Sequence, residues 1–485
     1  MNATVNKSKI LLLGFMVAVL TIPPLRAEDF SEKRVILKTL DYKLDYRVDY
    51  ESKKLYCEGE LTVLNPAREP AGRIPLLLYR LLTLKSVTDQ DGASLPFVHT
   101  VVSFSDWEQL QVNFIEVSLI KKIEKDEIRT IRFRYEGYLA GYMEAMRYVK
   151  DRIDKDYTVL RTETFAYPVV GYPSWRVNRA AGFQKFDYLL KVTVPDNLVV
   201  ANGGYFLDKS TQDGMVTYSY RNIKPAWRID AAITRYDLLE SGKNRIFYFP
   251  EDSLGARQAM TVLNQTLDLF TEWFGPLQDY HGFSIIEVPD GYGSQADVTT
   301  ILQTAGTFTN PDKLYDLYHE ISHQWNVTAL DPAPPRFESE GLAMLLQHRV
   351  QELLENKEGA VKQAVEKYIN RVRSAYEKNP TYQHIPMIDH GKEDITDLSY
   401  TKGMLFFNVL YELMGEESFN QVMGSFYQRY YTKGATAEDF ITHCKQESKV
   451  DLTRVFDDWI YGTKSSEYIM DGVSMTDIIK TYQRN

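Results

Sequence analysis

From about residue 35 to 235, apolar and polar positions alternate with a period of two. Tyr42, Leu44, Tyr46, Val48 and Tyr50 share one parity, as do Ile131, Phe133 and Tyr135, then Leu190, Val192 and Val194. Alternation of this kind marks strands with one buried face. Turn signals such as "LNP", "DQDG" and "ANGG" separate the runs. The pattern predicts an antiparallel β-sheet domain. After "NRIFYF" the period becomes helical: Ser253 to Phe274 runs without proline, with apolar residues near i, i+3, i+4 and i+7, and stops at Gly275-Pro276. From Pro311, a residue suited to a first helical turn, the rest reads as mostly helical. The change of period sets a boundary near residue 240. It predicts an α+β multidomain chain, with a β-sheet domain over 28–240 and a mainly helical domain over 241–485.

Residues 1–27 fit neither pattern. Lys7 and Lys9 supply a positive start, "ILLLGFMVAVL" an apolar run, and Leu25-Arg26-Ala27 a small-residue cleavage site, which together read as a secretory signal peptide. The apolar run stops at Pro23-Pro24, short of the roughly 20 residues that a span requires. The expectation is a secreted or periplasmic protein with no stable membrane span after cleavage. Losing Lys7, Lys9 and Arg26 moves the net charge from −10 to −13, which argues against a nucleic-acid partner. Only Cys57 and Cys444 are present. Cys57 lies on the apolar face of a predicted strand, so a buried free thiol is expected rather than a disulfide, and a Cys-ligated metal is excluded by count.

The candidate chemistry begins at "YHEISHQW". On a helix, His319 and His323 stand four residues apart, about 40° from one another on one face. Two neutral imidazoles at that spacing can share one tetrahedral metal. Leu314, Leu317, Ile321 and Trp325 fall on the opposite side and give the helix a core face. Glu320, about 100° round, can reach a water at the metal without ligating it. The H-E-x-x-H pattern arises by accident about once in a hundred chains of this length. A catalytic zinc takes three protein ligands and keeps a fourth position open. "PPRFESEGLAMLLQ" begins a second helix and offers Glu340 as the third ligand, with His348, His384, His390 and His443 as competitors.

"HEISHQW", "SEGLA" and "SYTKG", in that order, resemble the aminopeptidase N family of gluzincin zinc metallopeptidases, and the likeness runs from about 35 to 465. The resemblance implies a saddle-like N-terminal β domain followed by a thermolysin-like catalytic domain. It also implies one zinc per chain held by His319, His323 and Glu340. By the same resemblance Glu320 is the general base and Tyr400 the hydroxyl that donates to the developing oxyanion.

Three departures stand out. Sixteen residues separate His323 from Glu340, where the family has eighteen. The family's amine-anchoring G-x-M-E-N strand is replaced by "GSQAD", residues 293–297, with Ala296 where the glutamate would be. The chain stops soon after "DLTRVFDDWIYG", so a more open cleft is expected. A substrate ammonium needs a carboxylate, which Asp297 or Glu163 in "RTETFAYP" could supply. Glu163, Gly293, Ser294, Gln295 and Asp297 are therefore the substrate-binding candidates. The expected activity is a zinc peptidase acting on peptide N-termini. An endopeptidase or narrow-specificity peptidase and an inactive peptide-binding scaffold stand as alternatives. His384 and His390 are expected to be ordinary surface histidines.

Overall fold

The computed structural model describes residues 30–182, 184–298 and 300–483. The signal segment expected at 1–27 lies outside the described residues.

The period-two stretch folds mainly into a seven-stranded sheet. Its strands are β1 (Lys38–Asp49), β2 (Lys54–Leu64), β3 (Leu82–Asp89), β4 (Ile128–Gly137), β5 (Asp187–Pro195), β6 (Tyr205–Gln212) and β7 (Met215–Arg221), in the order β6-β7-β5-β1-β2-β4-β3. Tyr42, Leu44, Tyr46 and Val48 point into the core while Lys43, Asp45 and Arg47 face solvent, as the alternation requires. The sheet is mixed where the sequence predicted it antiparallel, because β1 pairs with β5 in parallel. Strand β5 arrives after the long excursion 138–186, so no hairpin constrains its direction. Smaller sheets flank it. One has four strands (Ala71–Tyr79, Phe97–Phe104, Trp107–Ile123, Val169–Val170) and one has three (Thr158–Leu160, Val199–Ala201, Ala231–Thr234).

Three buried tyrosines tie this core to the loop that leads to the candidate site. Tyr42 donates its hydroxyl to the Pro168 carbonyl at 2.7 Å, and Tyr46 and Tyr135 donate to the Ala166 carbonyl at 3.2 and 2.6 Å. A buried phenol without a partner is costly, so these bonds fix both the rings and the backbone just after Glu163.

A second sheet follows: β8 (Asp237–Ser241), β9 (Asn244–Tyr248), β10 (Ser284–Val288), β11 (Gln295–Ala296) and β12 (Thr300–Thr304), in the order β8-β9-β10-β12-β11. Its centre is parallel, and β11 closes the edge antiparallel to β12. Periodicity did not reveal β10 and β12, which are buried on both faces and therefore do not alternate. Helix α1 (Ser253–Phe274) has the predicted limits, and its buried face includes Ala256, Leu263, Phe270 and Phe274. Three further helices build the site: α2 (Leu314–Ser322), entered through a 3-10 turn at Pro311–Lys313, α3 (Leu342–Leu354) and α4 (Thr396–Met414). Both cysteines are buried and free, as expected. His384 is exposed, but His390 is fully buried and shares a hydrogen bond with Ser399, against the surface role expected for it.

Candidate active site

Helix α2 presents the two histidines because its other side is fixed. Leu317 and Ile321 are fully buried, and Trp325 packs on Phe270 of α1 while its indole N–H donates to the Gly275 carbonyl at 3.0 Å. The α-helix ends at Ser322, and His323 opens a 3-10 turn. The two imidazoles nevertheless stay adjacent, with ring centroids 4.7 Å apart and planes crossed at 89°.

Glu340 comes from a π-helical turn, Phe337–Gly341, that leads into α3. Such turns recur at functional sites. Despite the short connection, its Oε2 lies 3.4 Å from Nε2 of His319 and 3.4 Å from Nε2 of His323. Ligands about 2.0–2.1 Å from a tetrahedral zinc stand roughly 3.3–3.4 Å from one another, so this two-nitrogen, one-oxygen set fits the ion. Among the described residues these three form the one cluster able to hold a metal, and none of the competing histidines joins it. The far side of each imidazole is also engaged. His319 Nδ1 faces Gln347 Oε1 at 3.0 Å, and His323 Nδ1 faces Asn326 Nδ2 at 2.8 Å. The Gln347 oxygen holds a proton on Nδ1 of His319 and leaves its Nε2 lone pair for the metal; the Asn326 amide does the same for His323 once turned end for end.

Burial alone would raise Glu340. The charge of His323, hydrogen bonds from both histidines and the Arg336 guanidinium together hold it well below the usual carboxylate range. Arg336 is a residue that the sequence did not point to. It sits at φ 66° before the π turn, pairs with Glu340 Oε1 and lies over the Tyr400 ring at 5.5 Å. It therefore leaves Oε2 alone facing the histidines. Glu320 is pushed up to about 7, first by burial, with His319 opposing and Glu340 and Asp316 adding. A divalent cation beside it would draw that value back down. Burial and the neighbouring Glu340 raise the Tyr400 phenol.

The glycines of "SEGLA" and "YTKG" explain how the ligand and the tyrosine meet. A Cβ on Gly341 would lie 2.6 Å from the Gly403 carbonyl carbon, and one on Gly403 would lie 3.0 Å from Gly341 Cα. The π turn and α4 touch backbone to backbone, which sets Glu340 and Tyr400 side by side.

The substrate-binding candidates divide. Ser294 is used internally, its hydroxyl accepting from Gln303 Nε2 at 3.0 Å, and Gly293 adopts φ 78° in the approach to β11. Ala296 packs against the helical core, whereas Gln295 faces the other way, and its side chain helps hold the Glu163 carboxyl down. Asp297 shares the Gln295 side by strand alternation. Its carbonyl accepts from Gln324 Nε2 at 2.9 Å, one residue beyond His323. Burial, above all, pushes the Asp297 carboxyl up to about 7. Gln295 Oε1 and Asp297 Oδ1 are buried acceptors with no partner among the protein atoms. Glu163 accepts from both terminal nitrogens of Arg228, at 2.9 and 3.0 Å. Although burial opposes it, the Arg228 charge holds Glu163 below its ordinary value. Arg228 also acts on Glu320, which places this cluster next to the candidate metal centre.

Two histidines and a glutamate around one point, with a carboxylate and a phenol beside them, define a metallohydrolase-type site. The comparisons with known proteins agree. Residues 312–459 match the peptidase family M1 domain. The fold is similar to that of the M1 zinc metallopeptidase from Deinococcus radiodurans. A variant of that enzyme bound to Tyr-Ser-Ala aligns with TM-score 0.63 and 18% identity over 87% of this chain and 94% of that one. Another structure of the same enzyme gives 0.60 and 18% over 90% and 93%. Aminopeptidase M1-B of Oryza sativa subsp. japonica is 20% identical over 59% of this chain and 35% of its own length. Human glutamyl aminopeptidase is 21% identical over 57% and 31%. The chain thus spans about a third of the length of these two curated relatives. Among the described residues no helix is long and apolar enough to cross a membrane.

Proposed function

We propose that this protein is an exported zinc aminopeptidase that removes residues from the free N-termini of peptides. The observation that carries the zinc hydrolase reading is the pair of 3.4 Å spacings from one Glu340 oxygen to both histidine Nε2 atoms, with Glu320 on the same helix. Zinc bound there supplies Lewis acidity toward the scissile carbonyl and lowers the pKa of a water in its open position. Glu320 takes the proton from the attacking water and delivers it to the leaving amine. The Tyr400 hydroxyl donates to the carbonyl oxygen as that atom gains charge. The substrate's α-ammonium carries three N–H donors. Glu163, Gln295 Oε1 and Asp297 Oδ1 provide acceptors for them, which supports recognition of a free N-terminus in the absence of a glutamate at position 296. One observation favours the weaker preference of an endopeptidase: both Glu163 oxygens already accept from Arg228.

The test of the zinc reading combines metal content and turnover. Purified protein should bind one equivalent of zinc, His319→Ala should abolish it, and Glu320→Gln should keep the metal while losing peptide hydrolysis. Undiminished zinc in the histidine variant would overturn the ligand assignment.

A further inference from the structure

Asp230 joins the amine-binding candidates by accepting hydrogen bonds from Arg228, and its charge also acts on Asp297. The Arg228 guanidinium is 1% exposed and shared between two carboxylates. Nη1 and Nη2 donate to Glu163, while Nε and Nη2 donate to Asp230 at 2.6 and 2.7 Å. Paired with Arg228 alone, Glu163 would present no net charge to an incoming cation. Asp230 offsets the guanidinium and returns that charge. Burial raises the Asp230 carboxyl, and the Arg228 charge opposes this. Beside them Arg161 is closed on Asp151 at 2.7 Å, both side chains buried. The row Asp151, Arg161, Glu163, Arg228, Asp230 therefore holds three carboxylates against two guanidiniums. The neighbouring lysines, Lys185 and Lys224, act on Asp297 instead. A buried charge without a counterion is costly, and an arriving ammonium removes that cost.

Resting on the aminopeptidase reading above, we propose that Asp230 is a positioning residue for amine recognition. By sharing Arg228 it offsets the guanidinium and leaves net negative charge at Glu163 for the substrate, so the preference for free N-termini is set by a side chain that does not touch the peptide. Glu163 provides the contact and Asp230 provides its strength.

The experiment uses zinc-loaded full-length enzyme and one peptide in free and N-acetylated forms. Asp230→Asn removes the charge and keeps the shape. KM for the free peptide rises about tenfold, kcat changes far less, and KM for the acetylated peptide does not move. Asp230→Glu, which keeps the charge, restores most of the loss. Asp230→Ser repeats the measurement if the asparagine variant does not fold. A free-peptide KM within twofold of wild type, or an equal rise for both peptides, overturns the inference. Glu163→Gln is the separate control on the underlying reading. If it leaves the free-to-acetylated ratio intact, the aminopeptidase assignment fails. If it collapses the ratio while Asp230→Asn does not, only the role of Asp230 fails.

Discussion

Lys402 offers the sharpest test of the energetics around the site. It follows Tyr400 by two residues on α4, about 200° round the helix, so the tyrosine faces the cleft and the lysine faces the core. Lys402 is fully buried and forms no ion pair among the described residues; its Nζ donates to Ser466 Oγ at 3.1 Å. Burial drives its pKa from 10.5 down to about 7. The unfolded chain therefore holds a proton on this amine through the window from about 7 to 10.5 while the folded chain does not, and stability rises with pH across that window. Roughly 3.5 units at about 1.4 kcal/mol each make the burden near neutral pH about 5 kcal/mol relative to alkaline pH. Lys402→Met keeps the length and removes the charge. It gives up the bond to Ser466, worth about 1 kcal/mol, while Ser466 keeps its partner Tyr376 at 2.9 Å. The variant should be more stable than wild type at pH 7 by several kcal/mol, and this advantage should fade by pH 10. Thermal unfolding at pH 7 and pH 9.5 reads the difference directly. An equal shift at both pH values, or a loss at pH 7, would refute the reasoning.

Two further substitutions examine the site itself. Gly341→Ala puts a methyl group into the backbone contact with Gly403; it should cost about 1–3 kcal/mol and weaken zinc binding, measured by competition with a chelator. Tyr400→Phe should leave zinc content unchanged and lower kcat by about 10²- to 10³-fold.

Local pattern carried a large part of this structure. The limits of α1, the inward parity of β1 and the buried face of α2 all follow from side-chain spacing, which reports burial directly. The two motif glycines were visible as letters, but their purpose lies in a contact between segments some sixty residues apart. What stayed hidden was likewise non-local. The parallel pairing of β1 with β5 depends on how the chain returns after 138–186. The guanidinium on Glu163 comes from sixty-five residues downstream. Arg336 gave no sign because its role rests on a positive φ and on the Tyr400 ring. His390 was misread because its burial depends on a later helix, which brings Ser399 and Lys402 beside it. The replacement "GSQAD" looked like a missing anchor at Ala296. In the fold that residue packs inward, and the strand offers Gln295 to Glu163 instead.

The central claim is that this site hydrolyses peptides from a free N-terminus. The most direct measurement compares cleavage of one peptide with a free and with an acetylated α-amine by the zinc-loaded wild-type enzyme. The account predicts that acetylation lowers kcat/KM by about 100-fold or more, since a buried acceptor set built for an ammonium is left unpaired. Equal cleavage of the two peptides would contradict it.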